Sequence, residues 1–488
     1  MFDGPIRDHA GWTPRATAIV TPGGTFTYAQ VNADVDRCAA ALAELELRPG
    51  QVVSVALAAP YIQLVATAAL ARLGVASSPA GDWGADARLS DAHLSDGHVP
   101  PGGSPEGSSV HRIDEAWLRA MYAREPRPWP SRAYAPLDLG RVMLSSGTTG
   151  RPRRVGYTWR RIEHGNHLSL RSYGGGRLGA WIPLVSIDAM MGLTMAMCGW
   201  AVGAAVTASF EADDLPRWLE RLESGIVAMT PIQLRRVLDA LPPGFRPTPR
   251  WRLMVGGAVL PPETAREARA RITPDIRTLY GSTEGGAGGQ GLASGLDDAP
   301  GQVGITPSGA IVTIVGEDGR PVPEGQSGEV RIRGPRVIQG YLGDPEADAE
   351  RFRDGWYLTG DIGHRLPDGR LVLEGRRDDR MNLGGLKIMP AVLEAAALSC
   401  PGVRDCAAFA VPTPDGLDAC WLAVVAEPGF DGGRLTRHLA GHGDLPAPRY
   451  AWTRDIPRNA MGKVDRNALR EAVLAATRPP AAGKAPDV

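Results

Sequence analysis

The amino-acid sequence predicts an α/β fold with a large multi-layered N-terminal domain and a small α+β C-terminal domain. Three observations predict it. In the first half, short apolar runs alternate with segments of helical apolar spacing, a pattern typical of α/β layers. From residue 311 the pattern changes to short alternating runs joined by the turn sequences at 317–320 and 367–370, which indicates hairpins. The length of 488 residues exceeds that of a usual single domain.

The individual elements follow from apolar spacing and turn residues. Residues 81–136 are rich in Gly, Ser, Pro, His and Asp, which predicts a loop-dominated segment with one short helix near 115–122. The uncharged stretch 189–210 is long enough to span a bilayer, but glycines interrupt it. We interpret it as a buried helix leading into a core strand from residue 204. The other predicted elements are helices over 28–45 and 61–73 and strands over 51–57, 226–229, 252–255 and 278–280.

The domain division follows from the same pattern. We expect an N-terminal domain at 1–377, a C-terminal domain at 378–478 and a disordered tail at 479–488.

The composition favours no nucleic-acid or membrane partner. Lys and Arg number 53 against 54 Asp and Glu, so the chain is close to neutral. The five cysteines are odd in number and show no C-x-x-C spacing, which indicates reduced thiols in a cytoplasmic protein rather than zinc ligands or disulfides. The first residues lack the apolar core of a signal peptide.

A loop rich in glycine, hydroxyl residues and arginine begins near residue 145. Its glycines allow a tight turn that brings backbone N–H groups close to a ligand. Hydroxyl groups and arginines add donors and charge, so the loop suits a polyphosphate, although a surface turn can have the same composition. It lacks the Gly-Lys-Ser/Thr ending of a Walker loop. The residues concerned are Ser145, Ser146, Gly147, Thr148, Thr149, Gly150, Arg153 and Arg154.

A second motif, Tyr280-Gly-Ser-Thr-Glu284, comes at the end of a predicted strand. Gly281 permits a tight turn, and Thr283 and Glu284 place a hydroxyl beside a carboxylate. Mg²⁺ prefers such oxygen ligands and usually bridges to substrate phosphates, and the ring of Tyr280 offers a flat face to a purine. The alternative is a strand-end turn with an ordinary surface glutamate.

Two further motifs lie toward the C-terminus. Asp361 ends the run Trp-Tyr-Leu-Thr-Gly-Asp, and its carboxylate could accept two hydrogen bonds from ribose hydroxyls or form an ordinary turn. Lys463 follows a glycine in a turn before an amphipathic segment. A lysine there can carry a compact charge into a site where phosphoryl oxygens become more negative, although most lysines are simply solvated.

These motifs, in this order, resemble those of the acyl-adenylate-forming superfamily, which includes acyl-CoA and aryl-CoA ligases, adenylation domains of peptide synthetases and luciferases. The resemblance covers nearly the whole chain. It departs from the family pattern at Arg153, where relatives carry lysine, and at Arg154, where they carry a small residue. Guanidinium is larger than ammonium and fork-shaped, so this replacement is not neutral.

The resemblance implies roles for individual residues. Thr283 would contact the α-phosphate, Glu284 would hold Mg²⁺, Asp361 with Arg376 would bind ribose, and Lys463 would drive adenylation. The small C-terminal domain would be mobile and rotate about Asp378. The remaining ATP-site residues are the phosphate loop, Tyr280, Gly281 and the adenine-side loop Gly256, Gly257 and Ala258.

The resemblance leaves the substrate open. It places the acid pocket near Ser186, Asp188, Gly257 and Ser282. A buried Asp188 needs a partner, which could be a substrate amine, or it could cap the following helix. The implied reaction joins a small carboxylic acid to a thiol with ATP and Mg²⁺, and CoA is the leading acceptor. The alternatives are the phosphopantetheine arm of a carrier protein, loaded with an amino or aryl acid, and a degenerate nucleotide-binding protein without turnover.

Overall fold

A computed structural model describes residues 2–82, 84–91, 108–130, 135–145, 153–174, 179–208, 211–383, 386–413, 418–443, 445–458 and 464–477. Its helices are α1 (Gly4–Trp12), α2 (Tyr28–Ala43), α3 (Pro60–Leu73), α4 (Glu115–Tyr122), α5 (Trp159–Tyr173), α6 (Met190–Ala201), α7 (Leu215–Arg221), α8 (Pro231–Ala240), α9 (Pro262–Arg271), α10 (Pro345–Arg351), α11 (Pro390–Leu398), α12 (Gly432–Ala440) and α13 (Arg466–Thr477).

Its strands are β1 (Thr17–Thr21), β2 (Gly24–Thr27), β3 (Val52–Ala56), β4 (Ala76–Pro79), β5 (Ala87–Ser90), β6 (Ser109–Arg112), β7 (Leu139–Ser145), β8 (Arg153–Thr158), β9 (Ala180–Pro183), β10 (Ala205–Thr207), β11 (Gly225–Met229), β12 (Trp251–Gly256), β13 (Ile276–Ser282), β14 (Gly286–Leu292), β15 (Gln302–Gly304), β16 (Ile311–Val315), β17 (Gly328–Arg333), β18 (Phe352–Arg353), β19 (Trp356–Arg365), β20 (Leu371–Arg376), β21 (Met381–Leu383), β22 (Leu386–Ile388), β23 (Val403–Pro412), β24 (Asp418–Ala426) and β25 (Arg449–Trp452).

Two mainly parallel sheets enclose a helical layer. One sheet has the order β14-β13-β12-β11-β9-β10-β1-β2 and the other β6-β5-β3-β4-β7-β8. Helices α2, α3 and α6 share one apolar core with both sheets, in which Trp181 and Trp200 are fully buried. Burial on both faces explains why the central strands are continuous apolar runs rather than alternating ones.

The last part of the N-terminal domain is an antiparallel sheet of order β15-β20-β19-β17-β16, with β18 paired to β19. The C-terminal elements form a two-stranded β21-β22 sheet and a three-stranded β23-β24-β25 sheet, which pack with α11, α12 and α13 around a core of their own. This arrangement confirms the predicted fold class.

Local sequence signals fix the helix boundaries. The Thr27 hydroxyl accepts from the backbone N–H of Gln30, and the Gln30 side chain accepts from the N–H of Thr27, a reciprocal cap that begins α2. Helix α3 begins at Pro60 and ends before Gly74, whose φ of 71° lies in the left-handed region that glycine adopts without strain.

The segment 81–136 corrects one prediction. The predicted helix is confirmed as α4, but the same segment also contributes β5 and β6 to the edge of the second sheet. These four-residue strands pair through their backbones, and Ser109–Arg112 has no apolar alternation, so the sequence carries no strand signal there. The stretch 189–210 contains α6 and β10 as predicted. Within the described residues, no helix combines the length and apolar content needed to cross a bilayer.

A buried ion cluster joins the first three helices. Arg72 of α3, 1% exposed, donates through Nε to Asp3 at 2.8 Å and also binds Asp36 of α2. Asp3 in turn precedes α1. Removing one member of such a cluster leaves the others charged and desolvated.

We therefore expect Arg72→Met to lower the free energy of unfolding by about 3–5 kcal/mol, because Asp36 loses its cation and Asp3 keeps only its ion pair with Arg7. The exposed pair Arg119–Glu115 provides the control, since Arg119→Met should cost less than about 1 kcal/mol. Urea unfolding followed by tryptophan fluorescence measures both. Equal effects for the two variants would show that the buried cluster does not stabilise the fold.

Candidate active site

The loop rich in glycine and hydroxyl residues connects two antiparallel strands. Ser145 at the end of β7 pairs with Arg153 at the start of β8, so the two ends of the loop are held opposite each other. Ser146, Gly147, Thr148, Thr149 and Gly150 lie outside the described residues. Ser145 Oγ is buried and has no hydrogen-bond partner among the described residues. A buried hydroxyl without a partner at the mouth of a loop is suited to a polar ligand.

The two arginines that follow the loop are paired with carboxylates. The Arg153 guanidinium lies 3.6 Å from Asp344 Oδ2 and 3.8 Å from Glu350 Oε2. Arg154 Nε lies 2.9 Å from Oδ1 of the buried Asp82. Nearby acidic groups therefore balance the positive charge at both positions.

Glu284 lies in the turn between β13 and β14 and is 7% exposed. The Tyr341 hydroxyl donates to its Oε1 at 3.1 Å. Burial, reinforced by this carboxylate, raises the pKa of the Tyr341 hydroxyl above its usual range, so the tyrosine remains a donor. The Tyr157 hydroxyl of β8 donates to the carbonyl of Thr283. Tyrosines from two distant segments thus hold the Thr283–Glu284 turn.

The donor set at this turn fits a hard cation. Glu284 presents carboxylate oxygens and Thr283 a hydroxyl, the oxygen ligands that Mg²⁺ prefers. No group of three or more His, Cys, Asp or Glu side chains in the described part of the chain could hold a metal ion. A cation here would therefore need further oxygen ligands from a substrate or water, which is usual for Mg²⁺ in phosphate sites.

Asp361 of β19 is held by two side chains. The Tyr280 hydroxyl donates to its Oδ2 at 2.6 Å, and Arg376 of β20 donates to its Oδ1 at 3.1 Å. Arg376 stands opposite Asp361 in the β19–β20 register. Burial and the Asp361 carboxylate raise the pKa of the Tyr280 hydroxyl, so the hydroxyl stays protonated and donates this hydrogen bond. The structure thereby joins the second and third sequence motifs, which are about 80 residues apart.

The predicted adenine-side loop follows β12. Gly256 pairs with Leu279 of β13, and Gly257 adopts a φ of 88° and is exposed, as is Ala258. A side chain at Gly256 would meet Leu279 at 3.0 Å and the sulfur of Met191 at 3.4 Å. At Gly281 an added side-chain carbon would lie 2.4 Å from a backbone oxygen. The structure therefore places Met191, close in sequence to Asp188, beside the ends of β12 and β13.

Asp188 has partners other than those predicted. Its Oδ1 lies 3.2 Å from Arg141, which is 3% exposed, and Gln63 donates to both of its oxygens at 3.2 Å. The N-cap residue of α6 is Ala189, and no side chain caps the helix, so the capping interpretation of Asp188 is wrong. The cation that balances Asp188 here belongs to the protein itself, and pairing with a substrate amine remains untested.

The serines of the predicted acid pocket serve local turns. Ser186 Oγ accepts from the backbone N–H of Asp188 at 3.1 Å, and Ser282 Oγ accepts from that of Gly285 at 2.9 Å.

Asp378 lies in a short turn after β20, among arginines. The guanidinium groups of Arg351, Arg377 and Arg376 stand 3.5, 3.6 and 3.7 Å from its carboxylate. Its role as a hinge stays a prediction, as do the domain boundaries. The concentration of charge nevertheless ties this residue to Arg376 and hence to Asp361.

Lys463 lies outside the described residues, but the chain on both sides of it is anchored. Arg458 binds both oxygens of Asp405 at 2.8 and 2.9 Å, and Arg466 of α13 binds Glu394 at 2.6 Å. Both arginines fasten the segment to β23 and α11, the core of the C-terminal unit.

Tyr157, Tyr341 and the carboxylates around Arg153 were not among the predicted site residues. Tyr341 lies 57 residues after Glu284, and nothing in the sequence links the two. Tyr157 lies in a strand of alternating pattern, which predicts an ordinary core residue at this position. Only the folded chain shows these contacts.

Comparisons with known proteins identify the family of this chain. The AMP-binding enzyme family matches residues 6–342. Sulfoacetate–CoA ligase of Cupriavidus necator is 31% identical over 359 residues, covering 71% of this chain and 69% of that protein. Feruloyl-CoA synthase of Amycolatopsis sp is 27% identical over 502 residues, covering 96% and 97%.

A solved structure extends the likeness of fold to both domains. ATP-bound MatB from Rhodopseudomonas palustris has a TM-score of 0.85 at 24% identity, covering 96% of this chain and 97% of that chain. Because the family match spans well over half of the sequence, the chain belongs to the family of AMP-binding enzymes.

Proposed function

We propose that this protein activates a small carboxylic acid with ATP, forming an acyl-adenylate and releasing pyrophosphate, and then transfers the acyl group to the thiol of CoA. One observation carries the proposal. The pentapeptide 280–284 has at one end Tyr280, bonded to Asp361, and at the other the buried carboxylate of Glu284. A nucleotide has the same polarity, with ribose hydroxyls at one end and phosphates with their cation at the other.

The first step requires the protein to bring two anions together. A carboxylate oxygen of the acid attacks the α-phosphorus, the bond from that phosphorus to the bridging oxygen breaks, and pyrophosphate leaves. Positioning overcomes the repulsion of the reactants, and cationic groups stabilise the charge that moves to the leaving group. In our proposal, Ser145 and residues 146–150 bind the phosphates, and Thr283 contacts the α-phosphate.

Asp361 and Arg376 bind the ribose, and the loop of Gly256, Gly257 and Ala258 borders the adenine. Glu284 and Thr283 would hold Mg²⁺, which neutralises phosphate charge when bound. The buried Glu284, held by a single tyrosine hydroxyl among the described residues, keeps oxygen lone pairs for that purpose.

Lys463 supplies the remaining cation for adenylation. The sequence itself supports this role, because the chain has only three lysines, Lys387, Lys463 and Lys484, among 53 basic residues. A chain that uses arginine almost everywhere keeps a compact ammonium at this position, where a guanidinium would be larger and less mobile.

In the second step, the thiol sulfur attacks the acyl carbon, the bond to the AMP oxygen breaks and the thiol proton is lost. We propose that the C-terminal unit (378–478) turns about Asp378 between the steps, withdrawing Lys463 and opening a path for the thiol. CoA is the leading acceptor, because the similar proteins sulfoacetate–CoA ligase and feruloyl-CoA synthase both join an acid to CoA. A carrier protein is the alternative acceptor. A cytoplasmic location suits either acceptor.

The overall reaction is tested by ATP–pyrophosphate exchange over a panel of carboxylic acids. We expect exchange with at least one acid, followed by thioester formation when CoA is added. A phosphopantetheine-bearing carrier protein replaces CoA in a parallel reaction. If the carrier is loaded and CoA is not, the protein is an adenylation enzyme that loads a carrier protein. If ATP binds but no acid supports exchange, the protein is a nucleotide-binding protein without turnover.

Lys463→Ala should reduce the exchange rate by at least about 100-fold, because charge on the departing pyrophosphate loses its partner. Lys484→Ala, in the predicted tail, is the matched control and should leave exchange unchanged. Circular dichroism checks that both variants fold. A Lys463→Ala variant that exchanges at the wild-type rate would contradict the assignment of this residue.

Asp361→Asn should raise the KM for ATP about tenfold or more, because an amide is a weaker acceptor than a carboxylate for the ribose hydroxyls. Asp368→Asn, in the exposed turn of the same hairpin, controls for loss of one acidic group. Steady-state exchange at varied ATP measures both. An unchanged KM for Asp361→Asn would remove this residue from the ribose site.

A further inference from the structure

Arg153 stands where the phosphate-loop motif of the superfamily has a lysine. It lies just after the glycine- and hydroxyl-rich loop. Its side chain is 14% exposed and its guanidinium is bracketed by the carboxylates of Asp344, at 3.6 Å, and Glu350, at 3.8 Å. Two carboxylates beside the guanidinium compete with a phosphate for its positive charge and N–H groups. Its other neighbour is the ring of Tyr341, whose centroid lies 5.2 Å from Arg153 Cζ.

The backbone fixes this contact. Val155 of β8 forms an antiparallel bridge with Tyr341, and the N–H of Leu342 donates to the carbonyl of Arg154 at 2.8 Å. The segment that contains Tyr341 is therefore bonded to β8 at this point through its backbone. The N–H of Tyr341 also donates to Asp348 at 2.6 Å. Cation and ring are consequently held together by main-chain pairing and not by their mutual attraction alone.

Tyr341 links Arg153 to Glu284 through its ring and its hydroxyl. It is 6% exposed and donates its hydroxyl to Glu284 Oε1 at 3.1 Å. Among the described residues, this is the only side-chain hydrogen bond that the Glu284 carboxylate receives. Fixing Oε1 by a hydroxyl leaves Oε2 as the oxygen available to a cation. Groups that orient a metal ligand in this way typically change metal affinity when they are removed.

We propose that Arg153 is a positioning residue that acts on the cation ligand Glu284 through Tyr341, rather than a residue that grips the phosphates of ATP. The proposal rests on the proposed function of Glu284 as a Mg²⁺ ligand. The carboxylates of Asp344 and Glu350 hold the guanidinium over the tyrosine ring, the ring presents its hydroxyl to Glu284, and the carboxylate is oriented before the nucleotide arrives.

Two binding measurements on the full-length protein separate the roles. The nucleotide probe is α,β-methylene-ATP, whose α–β bridge cannot be cleaved. Its affinity is measured by calorimetry in EDTA, without metal, and the affinity of Mn²⁺ is then measured by electron paramagnetic resonance at saturating nucleotide. The variants are Arg153→Gln, Tyr341→Phe and the double substitution. Glu346→Gln, an exposed position on the same helix α10 as Glu350, is the matched control.

We expect each single variant to weaken Mn²⁺ binding about tenfold, which is the range for groups that orient a metal ligand. The double variant should be no weaker than either single one, because both changes interrupt one path. Affinity for metal-free nucleotide should stay within about twofold of the wild type, and the control should change neither value. Arg153→Lys, which keeps the charge without the planar fork, should bind Mn²⁺ with intermediate affinity and serves if the glutamine variant does not fold.

Several results would overturn the inference. Loss of metal-free nucleotide affinity in Arg153→Gln, with Mn²⁺ binding unchanged, would make Arg153 a phosphate ligand. Additive losses in the double variant would separate Arg153 from Tyr341. The proposed function fails differently: nucleotide and Mn²⁺ would bind as described while no acid supports exchange. A wild-type protein that binds no nucleotide would overturn both.

Discussion

The candidate site depends on the need of a buried carboxylate for hydrogen-bond donors. Glu284 is buried and Asp361 is partly buried, and each accepts a hydrogen bond from a tyrosine hydroxyl, at 3.1 Å from Tyr341 and 2.6 Å from Tyr280. A neutral donor orients a carboxylate without cancelling its charge. At Glu284 the tyrosine hydroxyl is the one side-chain donor among the described residues, whereas Asp361 also pairs with Arg376 at 3.1 Å.

Arginine dominates the ionic contacts that link the parts of the site. Arg153 reaches Glu350, the neighbouring Arg351 lies 3.3 Å from Glu350 and 3.5 Å from Asp378, and Asp378 in turn faces Arg376. Alternating charges thus run from the end of the phosphate loop to the predicted hinge and on to Asp361. Each contact is modest when partly exposed, but together they place Asp361 and the predicted hinge residue Asp378 in one electrostatic environment.

The predicted acid pocket contains an ion pair that the sequence does not reveal. Asp188 is balanced by the buried Arg141, and burial lowers the pKa of that guanidinium while Asp188 opposes the change. Asp188 therefore has a cationic partner and a hydrogen-bond partner, Gln63, within the protein itself. Met191, beside Gly256 of β12, adds an adaptable apolar surface there.

The sequence by itself determined the α/β fold class, the helix near 115–122, the hairpins after residue 311 and the motif residues that assign the chain to its family. These features depend on local periodicity, turn residues and short motifs, which neighbouring residues specify. The edge strands β5 and β6, the tyrosines behind Thr283 and Glu284, and the partners of Arg153 and Asp188 were decided only by the tertiary structure. Each of these contacts joins residues far apart in the chain, and their pairing follows from how sheets and turns meet in space, which no local pattern encodes.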